Sequence, residues 1–309
     1  MMLKRGTIAD LALLLVAVVW GSNFVIMKDA LDHITPFAYL GIRFTLSFLI
    51  MVVIFWERVK KINVQDIIAG SIIGFFLFAG FATQTIGLLY TTPGKSGFIT
   101  GINVIIVPFL YYMVTKKFPG WWPLVGGIFA VIGLGFLSLN ESFTINIGDL
   151  LTLMCAFLFA GHIVSIGVFA PQRDPIILTI IQLGFTGIVN NLIALIWEPL
   201  PVDISPGIWA AILYAVVFCT IGAFVIQNVA QRYTPSTHAA LILCLEAVFA
   251  VIFSYLFWGE ELTVRMVIGC VFIFAGVIIT ELKPGLPMLG RSRIKEKRGK
   301  ILPGGTDQY

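Results

Sequence analysis

Charge is what this sequence has least of. Only 12% of its 309 residues are Asp, Glu, Lys or Arg, about half of the roughly 25% usual for a soluble domain. A soluble fold needs that charge to keep its surface hydrated, so the soluble globular classes are excluded. Histidine and cysteine are also scarce, at three and four residues. Cys155, Cys219, Cys244 and Cys270 all lie inside apolar runs at no metal-motif spacing. They read as small packing residues, which argues against a disulfide framework. His33, His162 and His238 are scattered, and neither HExxH nor GxxxxGK[ST] occurs. The first absence removes the zinc-hydrolase pattern, and the second removes ATP as an energy source within this chain. No catalytic residue, metal, cofactor or nucleic-acid partner is expected.

What the chain does have is apolar length. Hydrophobic residues make up 59%, and the mean hydropathy is +0.98. That composition describes a polytopic protein whose solvent is the lipid bilayer. Ten apolar runs are long enough to cross it, each needing about 20 residues. They are read as helices over residues 8–27, 36–56, 67–89, 96–115, 121–139, 150–170, 176–197, 208–230, 237–258 and 263–282. Lys4 and Arg5 before the first run suit a signal peptide. That run exceeds an h-region and lacks an A-x-A site, so it is read as the first membrane helix.

The chain repeats itself. Pro93 and Pro235 stand 142 positions apart, Gly126 and Gly269 stand 143 apart, and one residue of slippage lies between those anchors. IADLALLLVAVVWGSNFVIMK aligns with IGDLLTLMCAFLFAGHIVSIG, which puts Asp10 on Asp149 and Trp20 on Phe159. The expected fold is therefore an all-α membrane protein of ten transmembrane helices, built as two five-helix repeats. An odd number of spans per unit turns the second copy over, giving an inverted repeat with a midplane site between the halves. The domains are read as 1–140, 141–283 and a basic, disordered tail over 284–309.

Orientation follows from Lys and Arg. With the N-terminus cytoplasmic, 16 of the 20 basic residues fall on the inner side. Lys28, Lys95 and Arg265 lie outside, and Arg43 lies within a span. Both termini are thus expected in the cytoplasm, with the chain multi-pass in the inner (plasma) membrane.

A few polar residues within the spans carry the functional reading. Glu246 is the only carboxylate near the middle of a predicted helix. A carboxyl at that depth costs about 2.5–3.5 kcal/mol on insertion scales, so it must face the bundle interior or water. It is either a protonatable coupling group or amine site, or a carboxyl that ties neighbouring helices together. Arg43 lies roughly 10 Å below the outer end of its helix. It binds an anion, pairs with Glu246, or snorkels to the outer interface. His162 occupies the place in helix 6 that Asn23 holds in helix 1, which suggests one lining surface or two packing residues. Asn103 aligns with Glu246 across the repeat. Gln84, Gln182, Asn190, Asn191, Gln227 and Asn228 are further intramembrane amides suited to interhelical hydrogen bonds. Gly126 and Gly133 match Gly269 and Gly276 at the same spacing. They imply close packing of helices 5 and 10, within one chain or across a homodimer.

The motifs also carry a resemblance. WGSNFVIMK after helix 1, the Arg43-Phe44 pair, YTTPGKSGFI, and YTPSTHAALIL, LEAVFA, GEELT and GCVFIFAG over helices 9 and 10 together resemble the EamA family of the drug/metabolite transporter superfamily. The likeness covers about residues 8–282. It implies a ten-helix carrier with a central cavity, helices 5 and 10 at the periphery, and export of small metabolites such as amino acids. One departure is visible: the family often has Glu-Pro in helix 9, whereas Ala247 follows Glu246 here. A bend in helix 9 is therefore not carried over.

The function expected is a secondary transporter exporting a small polar metabolite (an amino acid or related compound), working by alternating access, with a proton gradient as one candidate driving force. The alternatives are an uncoupled facilitator of the same fold or an intramembrane enzyme. The enzyme would need the clustered acid–base or nucleophile pairs that this chain lacks.

Overall fold

The computed structural model describes residues 5–91, 93–138, 146–199, 204–258 and 261–282. The predicted tail and much of the GEELT turn and of the acidic connection between the halves lie outside the described residues. Among those described there is helix and no strand.

The chain runs α1 (Arg5–Leu31), α2 (Pro36–Ile54), the short α3 (Trp56–Val59), α4 (Val64–Tyr90), α5 (Pro93–Gly101), α6 (Asn103–Thr115) and α7 (Trp121–Ser138). It continues with α8 (Ile147–Phe169), α9 (Pro175–Trp197) and α10 (Pro206–Tyr214), then a π-helical stretch (Ala215–Gly222) and α11 (Ala223–Ala230). The last elements are α12 (Ser236–Leu243), α13 (Glu246–Trp258) and α14 (Val264–Leu282). Among the described residues seven helical spans are long and apolar enough to cross a bilayer, and the seventh, Ser236–Phe253, runs across the break between α12 and α13. Three shorter apolar stretches, Ile99–Thr115, Trp121–Phe136 and Val264–Thr280, fall where helices 4, 5 and 10 were expected. Exposed apolar side chains such as Val53, Leu195, Ile196, Val264 and Val271 cover the outside, as lipid contact requires.

Helix ends are fixed by local chemistry. Asn63 and Asp66 form a capping box at the start of α4, and Asn146 and Asp149 form another at the start of α8. Each satisfies two backbone groups that have no partner within the helix. Proline opens α2 and α9, where its missing N–H costs nothing. The Glu198 carboxylate at the end of α9 accepts the N–H groups of Phe37 and Ala38, at 3.0 and 2.8 Å. An anion there also complements the α2 dipole.

The packing pairs first-half helices with second-half ones. α1 lies against α13 and α11, and α8 lies against α6 and α4; α2 packs on α9, and α7 on α14. Glycine permits the closest of these approaches. A Cβ on Gly276 would sit 2.5 Å from the Gly126 carbonyl oxygen, and one on Gly133 would sit 2.5 Å from that of Gly269. The matched glycines therefore face each other within a single chain. A homodimer through helices 5 and 10 would have to use their outer faces.

Helix 9 corrects an expectation. Despite the missing proline it is interrupted: α12 stops at Leu243 and α13 begins at Glu246. Helix 4 is interrupted in the same way between Gly101 and Asn103. Ile102 and Cys244 have nearly the same backbone, φ −58° and ψ −19° against φ −58° and ψ −20°. Tight i→i+3 bonds form at both breaks, from Ile105 N–H to Ile102 O and from Leu245 N–H to Ile242 O. Such short 3₁₀ turns mark hinges and functional sites. Leu243 lies 142 positions after Gly101 and Glu246 lies 143 after Asn103. The residue of slippage between the repeats is therefore inserted at the break itself.

Candidate functional site

The two breaks open the second half of each helix onto an internal cavity. Asn103 and Glu246 stand at equivalent places in the first turns of α6 and α13, just past the two breaks. Both residues line the cavity, and so do Asn23, Arg43, Gln84 and His162. All six residues singled out from the sequence thus meet at one place. Their neighbours there include Trp20, Phe81, Phe159, Phe224 and Gln227.

Arg43 is the most constrained member. It is 0% exposed, so it does not snorkel. It does not pair with Glu246 either. Its Nε donates to Thr220 Oγ1 at 2.7 Å and its Nη2 to the Cys219 carbonyl at 3.3 Å. The guanidinium carbon lies 5.4 Å from the centre of the Phe44 ring and 5.2 Å from that of Phe81, within cation–π range. Thr220 and Cys219 belong to the π-helical stretch, in which Thr220 Oγ1 donates five residues back to Ala215 O. The Cys219 carbonyl also accepts from Trp20 Nε1 at 2.9 Å. A π turn is rare and often functional; here it meets two side chains from the first half. Arg43 Nη1 is buried without any hydrogen-bond partner.

The others divide by how well they are satisfied. His162 Nε2 is 2.9 Å from Gln182 Oε1, and its ring stands edge-on to Phe224. Gln84 Nε2 donates to Thr100 Oγ1 at 3.3 Å. The buried acceptors Asn23 Oδ1 and Gln227 Oε1 have no partner. Glu246 is half-buried, and among the described residues it forms no ion pair. Asn190, Asn191 and Asn228 serve packing: each donates its amide to a backbone carbonyl one turn back, and Asn191 also reaches Thr45 Oγ1 at 2.6 Å.

Sequence reasoning gave Gln227 only a packing role and passed over the aromatic wall, although the signal was present. Gln227 lies 143 positions after Gln84, and Phe224 lies 143 after Phe81. Trp20 and Phe159, like Asn23 and His162, stand 139 apart. The cavity is thus lined by repeat-matched pairs. The π-helical stretch had no such signal.

The cavity measures about 70 Å³. That is room for a few waters at most, far below the roughly 300–1,000 Å³ of a ligand pocket. Matched contacts join the two halves at each end of the bundle. At one end Thr234 Oγ1 donates to Asp10 Oδ1, and at the other Thr91 Oγ1 donates to Asp149 Oδ1, each at 2.7 Å. Lys28 Nζ, at the far end of α1 from Asp10, reaches Leu88 O near Thr91, which places the two contacts at opposite ends.

With this geometry in view, the comparisons with known proteins are informative. A family model, the EamA-like transporter family, matches residues 7–139 and again 146–282. An uncharacterized transporter of Archaeoglobus fulgidus is 35% identical over 275 residues, 89% of this chain and 86% of that one. The S-adenosylmethionine/S-adenosylhomocysteine transporter of Chlamydia muridarum is 22% identical over 284 residues, 84% of this chain and 89% of its own. One crystal structure shares the fold with a TM-score of 0.75 at 16% identity, covering 90% of this chain and 97% of the other. A duplicated family match on a helical, bilayer-spanning frame leads to one conclusion: this chain is a membrane transporter protein belonging to the EamA-like transporter family.

Proposed function

We propose that this transporter is a secondary carrier that exports a small polar metabolite, an amino acid or related compound, by alternating access around the cavity between its halves. Ten spans, arranged as inverted repeats over residues 1–140 and 141–283, rock about that cavity. Both termini and the 284–309 tail face the cytoplasm of a cell whose inner membrane holds the protein. The concentration of Arg5, Arg58, Lys60, Lys61, Arg173 and Arg232 on connections at one end of the bundle supports that orientation.

One observation carries the reading: six polar side chains chosen from the sequence, drawn from both halves, line a single cavity between two interrupted helices. Discontinuous helices at a midplane site are how many secondary carriers bind solute. The small volume and the matched contacts at the two ends support an occluded member of such a cycle. The relative named for S-adenosylmethionine and S-adenosylhomocysteine supports a substrate of amino-acid character. Glu246 senses proton or solute in this scheme.

The test is solute uptake into proteoliposomes, screening amino acids, nucleosides and amines with and without an imposed pH gradient. The expected result is movement of one class, accelerated by the gradient. In the Glu246→Gln variant the protein should still be expressed and folded while the acceleration disappears. Acceleration unchanged in that variant would remove Glu246 from coupling. Transport by the unmodified protein that ignores the gradient would make it a facilitator.

A further inference from the structure

We propose that the groove between α1 and α11 binds one anionic phospholipid of the adjoining leaflet, its phosphate at Arg5 and an acyl chain along the walls. The groove measures about 400 Å³ and shares no lining residue with the central cavity. Ala9, Ala12, Val225, Ile226 and Val229 wall it, and Arg5 and Tyr233 meet at one end. Ala12 lies roughly 10 Å along α1 from Arg5. Ile8, Val229 and Tyr233 are exposed there, so the groove opens toward the bilayer. Such a site is independent of which solute is carried.

The repeat supplies an internal control. At the equivalent place in the other half α8 meets α4, with Gly148 in the position of Ala9, Leu151 in that of Ala12 and Gly87 in that of Ala230. A Cβ on Gly148 would sit 2.6 Å from the Gly87 carbonyl oxygen and 2.9 Å from Tyr90 Cβ. One on Gly87 would sit 3.4 Å from Leu151 Cβ. Those two helices leave no room between them. Ala9 and Ala230, both buried, put side chains at the two close points and hold α1 and α11 apart, and Ala12 leaves open what Leu151 fills.

Charge differs in step with shape. Arg5 and Arg232 align with Thr144 and Leu89, while Tyr233 keeps its match in Tyr90. Other cations at this end of the bundle are paired: Arg58 with Asp174, Lys60 with Glu57 and Arg173 with Asp66. Arg5 and Arg232 are exposed and take part in no ion pair among the described residues. The Arg5 guanidinium carbon lies 6.0 Å from the centre of the Tyr233 ring, and no hydrogen bond among the described residues occupies its donors. A planar fork left free in this way fits a phosphate. The orientation proposed above puts it in the cytoplasmic leaflet, where anionic lipids attract basic side chains.

The experiment uses the full-length protein in detergent, titrated with dioleoylphosphatidylglycerol, dioleoylphosphatidylcholine and glycerophosphoglycerol, the deacylated headgroup. Native mass spectrometry counts bound lipid, and the melting temperature reports stabilisation. Phosphatidylglycerol should bind as one tight copy, about fivefold or more above the choline lipid, the effect of at least one basic side chain on an anionic headgroup. The deacylated headgroup should not stabilise the protein. Arg5→Gln should remove the preference, and Arg5→Lys should restore part of it. Ala12→Leu gives the groove the residue that fills its counterpart and leaves every charge in place. It should reduce phosphatidylglycerol to the affinity of the choline lipid. A folded Ala12→Leu protein that keeps the preference overturns the inference, because surface charge alone would then attract the lipid. A folded Arg5→Gln protein that binds phosphatidylglycerol normally also overturns it, as does stabilisation by the headgroup equal to that by the lipid. A dimer that Ala12→Leu makes monomeric, with no response to phosphatidylglycerol, overturns it too and assigns the groove to a second copy of the chain.

Discussion

The two halves of this transporter share a frame and differ in charge. α6 and α13 both start after a tight turn with the same backbone, and the threonines of both halves close the ends with bonds of equal length. On that common frame the first half carries Arg43 and Asn103 where the second carries Gln182 and Glu246. In the carrier cycle proposed above, likeness of the frame would let the halves exchange roles, each taking up the conformation of the other. Difference in charge gives the cavity a polarity that a perfect duplication would lack. On the proposed reading the frame and solute recognition fall to different residues, and each part is testable.

The largest effect is expected where the halves touch most closely. Gly276→Leu pushes a side chain into the Gly126 carbonyl, and overpacking of this kind costs about 1–3 kcal/mol or more. A fall in melting temperature and loss of monodispersity in detergent are expected. Protein that survives should keep its solute preference, since the glycine does not line the cavity. A changed preference at unchanged stability would show that α7 and α14 do more than pack.

The charge difference is probed next by treating matched residues alike. Glu246→Gln and Asn103→Leu alter equivalent positions at the two breaks. Gradient-driven transport should fall roughly tenfold or more in the first and about threefold or less in the second, because only the first removes a charge. Equal losses would mean that the frame, not the charge, governs transport.

Smaller still are the contacts at the two ends. Thr91→Val and Thr234→Val each remove one part-buried hydrogen bond to a carboxylate, worth about 0.5–1.5 kcal/mol. The two variants should be destabilised alike yet shift access in opposite directions, read by a membrane-impermeant thiol reagent on an introduced cysteine at each mouth. A shift to the same side in both would separate these bonds from the transport cycle.

The smallest effect is expected at the first matched polar pair. His162→Asn gives the second half the residue of the first, and solute transport should change about twofold or less. The variant should show mainly the loss of one hydrogen bond to Gln182, about 0.6 kcal/mol for a polar contact within a membrane. A large loss of transport would place His162 among the residues that touch solute.

Much of this was legible in the residues alone. Scarcity of charge, runs of membrane length and a repeat of 142 to 143 positions marked the class, and the quoted motifs carried the resemblance to the family. They also singled out Glu246, Arg43, Asn103, Asn23, His162 and Gln84, since a polar group in hydrocarbon is costly enough to be rare and therefore conspicuous. Spacing in a repeat is a one-dimensional property, and sequence reports it directly.

Which way each residue turns was settled only by tertiary packing. An apolar helix in lipid has no hydrophobic side and polar side to tell its faces apart, so the aromatic wall of the cavity carried no mark beyond the repeat. Arg43 could reach outward, bind Glu246 or stay inside; the π-helical Thr220 and Cys219, distant in the chain, decided that it stays inside. The break before Glu246 has no proline to announce it. It arises where packing of α12 and α13 against other helices outweighs one continuous helix, and that balance depends on neighbours far away in sequence.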